Sequence, residues 1–255
     1  MKRLEGKIAV ITGASSGVGK TTAAMMAAEG AVVILASRRA EALKETADAI
    51  SANGGKAFVV PTDISNPESV KALFEKACEL CGRVDILVNS AGIIEAGLPS
   101  IDKFLDKDLD AMLSTNTKGT MYCMREATRV MLPQKSGSII NIASIAGVVG
   151  NGGAAYVASK GAIIAASRHA ALRLNSDNIR VNAICPGSIN TPMNDSAQVV
   201  PDMDLIQQLM KHADITREPM ACEPEHVGHL IVYLASDESL PVTGQAIVMD
   251  YGVNL

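Results

Sequence analysis

The sequence predicts an α/β fold, a doubly wound parallel sheet with helices on both faces, in a single domain over residues 1–255. Three observations predict it. Short runs rich in Val, Ile and Leu alternate with helix-length segments along the chain. These runs are apolar at consecutive positions, as strands covered on both faces must be. A glycine-rich turn joins the first run directly to a helix. With 255 residues, 48% hydrophobic and 20% charged, the chain suffices for one large core and is short for two.

The first run, Ile8–Ile11, passes through Thr12-Gly-Ala-Ser-Ser-Gly-Val-Gly19 into a helix starting at Gly17. Gly13, Gly17 and Gly19 permit a tight turn, close approach of a pyrophosphate and close packing of helix on strand. Ser15, Ser16 and Val18 stand between them. The free N–H groups of the helix start face an incoming anion, with the positive end of the helix dipole behind them. The same stretch reads A-S-S-G-V-G-K-T, one residue away from the phosphate loop of nucleotide triphosphatases. Such an enzyme also needs a strand ending in a magnesium-binding aspartate. Only Ala246–Asp250 ends that way, at the extreme C-terminus, so Lys20 and Thr21 are read as an exposed helical turn.

The second run, Val32–Leu35, leads through Ala36-Ser37-Arg38-Arg39 into a helix from Arg39. A carboxylate at this place would grip the ribose 2′-hydroxyl of NAD, whereas arginine accommodates the extra phosphate of NADP. Arg38 and Arg39 therefore point to NADP(H), with NAD(H) left open. The third run, Ala57–Val60, precedes a helix from Pro67, and Val84–Val88, Gly137–Ile142, Ile179–Ile184 and Ala246–Met249 continue the series. Right-handed crossovers collect the C-terminal ends of these strands along one sheet edge, where ligands bind. The one long irregular stretch, Gly187 to Glu223, falls at that edge and suggests a substrate lid at about 188–222. Its Met193, Met203, Met210 and Met220, with Leu205, Ile206 and Leu209, would suit a bulky apolar substrate such as a steroid or bile acid; packing of a lid helix explains them equally well.

Tyr156 and Lys160 are four apart in a helical pattern and so share a face. A free tyrosine titrates near 10, roughly three units above neutrality. A neighbouring ammonium would lower that value, helped by an oxidised nicotinamide, and make the phenol an acid or base. Ser144 follows the strand ending at Ala143 and emerges at the ligand edge, where its hydroxyl can hold a substrate oxygen.

These residues and motifs resemble the short-chain dehydrogenase/reductase family in its compact form, over nearly the whole chain. The family's T-G-x-x-x-G-x-G turn appears as Thr12 to Gly19, its adenine-contacting aspartate as Asp63 followed by Ile64, and its N-N-A-G element as Asn89-Ser90-Ala91-Gly92, with Ser90 in place of the second asparagine. The resemblance implies a Rossmann fold. It also implies a catalytic tetrad of Asn116, Ser144, Tyr156 and Lys160, and a nicotinamide side formed by Pro186, Gly187, Ile189 and Thr191. In such enzymes Tyr156 would be the acid or base, Lys160 would lower its pKa and hold the ribose hydroxyls, Ser144 would orient the carbonyl, and Asn116 would anchor a water leading from Lys160. The reaction implied is hydride transfer between a nicotinamide and a secondary alcohol or ketone, with no metal.

A 3-oxoacyl carrier-protein reductase is the main alternative. Carrier proteins are acidic and need basic docking residues, for which Arg125 and Arg129 are available, yet Asp177 and a net charge of -4 weigh against it. A non-catalytic dinucleotide sensor would have no need of the tetrad. The acidic balance, with a pI near 5.6, argues against nucleic acid as a partner and leaves small molecules. The apolar runs are too short to cross a membrane, the N-terminus lacks a signal-peptide pattern, and five scattered cysteines read as reduced thiols, so a cytoplasmic protein is expected. The lone C-x-x-C at Cys78 and Cys81 lacks further zinc ligands. Small residues at 154, 155, 158, 162, 165 and 166 would let another helix approach closely; relatives often form tetramers through such helices.

Overall fold

The computed structural model describes residues 2–193, 207 and 221–254. Its main sheet holds seven parallel strands: β1 (Ile8–Thr12), β2 (Val32–Ser37), β3 (Lys56–Pro61), β4 (Ile86–Asn89), β5 (Gly137–Ile142), β6 (Ile179–Pro186) and β9 (Ala246–Met249), in the order β3-β2-β1-β4-β5-β6-β9. The order reverses between β1 and β4, which opens a crevice above their C-terminal ends. Two short strands, β7 (Ser188–Ile189) and β8 (Ala221–Cys222), pair in parallel beside it.

Every residue of β1 is buried, because its alternating side chains enter two different cores. Ala9 and Ile11 join a cluster fed by α1 (Gly17–Ala28), α2 (Ala40–Ala52) and α8 (Pro224–Ala235), with Met26, Leu43 and Ile231 fully buried. Ile8 and Val10 join the opposite cluster, fed by α3 (Pro67–Cys81), α5 (Thr120–Gln134) and α7 (Ala154–Leu174), through Leu73, Met131 and Ala171. Each fully buried large aliphatic side chain contributes about 1.5–3 kcal/mol of burial free energy. The sheet is thereby held between two apolar layers, and its strand ends are left to the site.

Local chemistry sets the helix ends. Asn66 caps α3 by accepting from the N–H groups of Glu68 and Ser69, with Pro67 in the first turn and Gly82 in the left-handed conformation after the last. Between α4 (Asp106–Met112) and α5 the backbone widens into a π-helical stretch, Leu113–Gly119, which carries Asn116. Such widened turns re-aim side chains and recur at functional positions. A short helix, α6 (Ala146–Val149), separates Ser144 from α7.

Candidate active site

The crevice at the strand reversal is a cleft of about 560 Å³. Its floor is the glycine turn. Gly13 (φ +68°) and Gly17 (φ +50°) adopt backbone that L side chains avoid. A Cβ at Gly13 would stand 2.8 Å from the backbone nitrogen of Ala91, so the glycine is what lets the segment after β4 pass over the turn. Thr12 Oγ1 accepts the N–H groups of both Ser90 and Ala91 at 3.2 Å. The element is held through backbone, so Ser90 can replace an asparagine without loss of this tie. Gly19 does not line the cleft; a Cβ there would strike the carbonyl of Gly13, so the glycine lets the start of α1 pack closely on the turn. Gly19→Ala is expected to cost about 1–3 kcal/mol in stability and to weaken dinucleotide binding at least tenfold, because the clash is with backbone. Chemical denaturation and NADPH titration check it.

Ser15, Ser16 and Val18 border the cleft beside the start of α1, as do Arg38, Arg39, Asp63 and Ile64 at the ends of β2 and β3. Arg39 donates to Ser15 Oγ at 3.0 Å and Ser16 Oγ at 2.8 Å, so its guanidinium lies over the phosphate turn. Asp63 accepts from the hydroxyl and N–H of Ser65 at 2.7 and 2.9 Å; these bonds, with Arg38 nearby, hold its carboxyl below the usual range. Lys20 is exposed and does not line the cleft. Asn89 is buried away from it, donating to Asn141 Oδ1 at 2.8 Å and tying β4 to β5.

Ser144, Tyr156 and Lys160 line the same cleft with Gly92, Pro186, Gly187 and Ile189, while Ala91 lies against Gly13 and Thr191 against Gly17 of the glycine turn. Lys160 is 4% exposed; its Nζ donates to the carbonyl of Ile142 at 2.9 Å and lies 5.6 Å from the centre of the Tyr156 ring. Burial lowers its pKa to about 8. The lowering expected from Lys160 together with an oxidised nicotinamide is distinct from the effect of the chain's own groups, which raise the phenol. Burial raises the Tyr156 pKa, a hydrogen bond with Ser144 pulls the other way, and Glu95 adds to the rise.

Asn116 is fully buried and does not line the cleft. Its side chain accepts from the N–H of Ile93 at 2.8 Å and donates to the carbonyl of Ile93 at 2.9 Å and to Ser159 Oγ at 3.0 Å. Ser159 in turn donates to the carbonyl of Tyr156 at 2.8 Å. Asn116 thus fastens the segment after β4 to the helix of Tyr156 and Lys160. Sequence reasoning missed Ile93 and Ile94, which line the cleft beside Gly92; their proximity to β4 along the chain was the only signal.

The lid expected at 188–222 falls largely outside the described residues, with Met203, Leu205, Ile206, Leu209, Met210 and Met220 among them. Its two ends are described. Ser188 pairs with Ala221 and Ile189 with Cys222, and Met193 lines the cleft. No helix among the described residues is long and apolar enough to cross a membrane.

The residues present fit a dinucleotide. Glycines leave room for close backbone approach, the start of α1 presents free N–H groups, and the cleft runs from Arg39 to Tyr156. The family profile described as Enoyl-(Acyl carrier protein) reductase matches residues 13–254. The chain is 36% identical to the 3-oxoacyl-[acyl-carrier-protein] reductase FabG of Thermotoga maritima over 254 residues, covering 98% of this chain and 99% of that protein. It is 33% identical to a 3beta-hydroxysteroid dehydrogenase of Mediterraneibacter gnavus over 267 residues, covering 99% and 96%. Among solved structures, levodione reductase superposes with a TM-score of 0.89 at 28% identity, covering 98% of each chain. Matched along almost its whole length in sequence and in fold, the chain belongs to the short-chain dehydrogenase/reductase family and is an oxidoreductase that uses a nicotinamide dinucleotide, NAD(P)(H).

Proposed function

We propose that the chain is a cytoplasmic, single-domain, NADP(H)-preferring ketone reductase or alcohol dehydrogenase, with Tyr156 as proton donor and acceptor. The observation that carries this reading is the meeting of Ser144, Tyr156 and Lys160 in the same cleft as the glycine turn. When bound, the nicotinamide supplies or takes the hydride. The chain's own residues do the rest. Ser144, hydrogen-bonded to Tyr156, positions the substrate oxygen; Tyr156 gives that oxygen its proton in reduction and takes it back in oxidation. Lys160 would hold the ribose hydroxyls of the dinucleotide. Asn116 keeps Ile93 and α7 in register. The remaining cleft residues named above would hold the dinucleotide, with Gly19 and Asn89 supporting it from behind.

Arg38 and Arg39 support the preference for NADP(H): both border the cleft at the end of β2, where no carboxylate stands. Arg39→Ala is expected to weaken NADPH binding about tenfold or more and to leave NADH binding within about twofold, since a charge-assisted phosphate contact is worth about 1.5–3 kcal/mol. Fluorescence titration with both dinucleotides checks it. Equal weakening of the two would overturn the preference.

The substrate end, with Ile93, Ile94 and Met193, suits an apolar ketone, and the segment at 188–222 would cover it as a lid. A second reading, reduction of 3-oxoacyl thioesters, is favoured by the carrier-protein reductases among the relatives. A panel of hydroxysteroids, cyclic ketones and 3-oxoacyl thioesters, assayed by NADPH oxidation, separates the two. Turnover confined to thioesters would remove the bulky-ketone reading. The small residues on α7 support a homotetramer, which light scattering tests.

A further inference from the structure

Glu95 follows β4 and belongs to none of the motifs above. It is 2% exposed, yet one of its oxygens has no structural partner: Oε2 is buried without a hydrogen bond among the described residues. Burying a carboxylate half-satisfied is costly, so packing alone does not account for it. Oε1 accepts the N–H of Tyr156 at 3.0 Å. The start of α7 needs such acceptors from outside, because its cap, Gly153, has no side chain; the carbonyl of Pro99 takes the N–H of Ala154 at 2.9 Å and Glu95 takes that of Tyr156. A Cβ at Gly153 would collide with Oε1, so the glycine is what admits the carboxylate.

We infer that Glu95 is a positioning residue for the reaction: its carboxyl group, by accepting the Tyr156 N–H, fixes the first turn of the helix bearing Tyr156 and Lys160 and so sets the surroundings in which the Tyr156 phenol holds its proton. This rests on the reading of Tyr156 as proton donor. The titratable groups around the phenol are Lys160 from α7, Cys185 from β6 beside Ser144, and Glu95 from the segment after β4. Burial keeps the Cys185 thiol protonated, with its pKa up to about 11. A carboxylate repels a developing phenolate and reinforces burial. The consequence is directional: reduction uses the phenol as it stands, whereas oxidation requires its ionised form and gains as pH rises.

The test is a tyrosinate absorbance titration of the parent and of Glu95→Gln, each taken as a difference against its Tyr156→Phe counterpart to isolate one of four tyrosines. The glutamine carbonyl still accepts the Tyr156 N–H, so NADPH binding should be unchanged while the isolated titration moves down by about half a unit or more. A titration that does not move overturns the proposal. Should Glu95→Gln fail to fold, Gly153→Ala forces the carboxylate away and must move the titration in the same direction; no movement there overturns it equally. No substrate is used, so a protein that shows the shift but reduces no carbonyl compound refutes the proton-donor reading while the coupling of Glu95 to Tyr156 stands.

Discussion

Tyr156→Phe is expected to lower kcat for carbonyl reduction by about 10³-fold and to leave NADPH binding within about twofold. The ring stays, and with it the packing beside Lys160; only the hydroxyl that bonds Ser144, the proposed source of the proton, is lost. Steady-state assays with NADPH beside a binding titration make the comparison. Retention of more than about a tenth of the parental rate would show that another group gives the proton. Because burial raises the phenol, the parent should hold its reductive rate through neutral pH, while its oxidative rate climbs on the alkaline side.

Lys160→Met is expected to abolish activity and yet stabilise the protein at pH 7. The ammonium is buried with, among the described residues, only the carbonyl of Ile142 as a hydrogen-bond partner, and its pKa falls from 10.5 to about 8. A lysine with a depressed folded pKa binds its proton more weakly folded than unfolded. Stability therefore rises with pH from about 8 to about 10.5, and the cost of the buried charge is fully present below pH 8. The difference of about 2.5 units corresponds to roughly 3 kcal/mol. Losing the bond to Ile142 returns about 1 kcal/mol, which leaves a gain of about 2 kcal/mol, or roughly 4–8 °C in Tm for a chain of this size. Thermal unfolding at pH 7 and pH 10 decides it: the gain should be present at the first and largely gone at the second. A variant no more stable than the parent at pH 7 would show that this charge carries no such cost. The arrangement is a trade of stability for function, as expected where a site needs a desolvated charge.

The fold class was legible because apolar runs covered on both faces leave a pattern that needs no partner to be recognised, and each of the seven runs became a strand of the main sheet. The glycine turn and the Tyr156–Lys160 pair were legible for a related reason: their geometry is local, set by a turn or by a single helical repeat. Boundaries drifted by a few residues, as at β4, where the run from Val84 became a strand only from Ile86 to Asn89, because ladder bonding and not apolarity sets strand ends.

What the tertiary structure decided was every effect of burial and of long-range approach. The direction of the Tyr156 shift follows from desolvation and from Glu95, sixty-one residues away along the chain, and neither is visible in a spacing of four. The widened turn at Asn116 and the grip of Asn116 on Ile93 arise where separate elements pack together. Arg39 reaches Ser15 and Ser16 only once β1 and β2 lie side by side. Periodicity and motif report local geometry; dielectric surroundings exist only after the chain has closed around a group, so the sequence named the candidate side chains while the fold set their proton affinities.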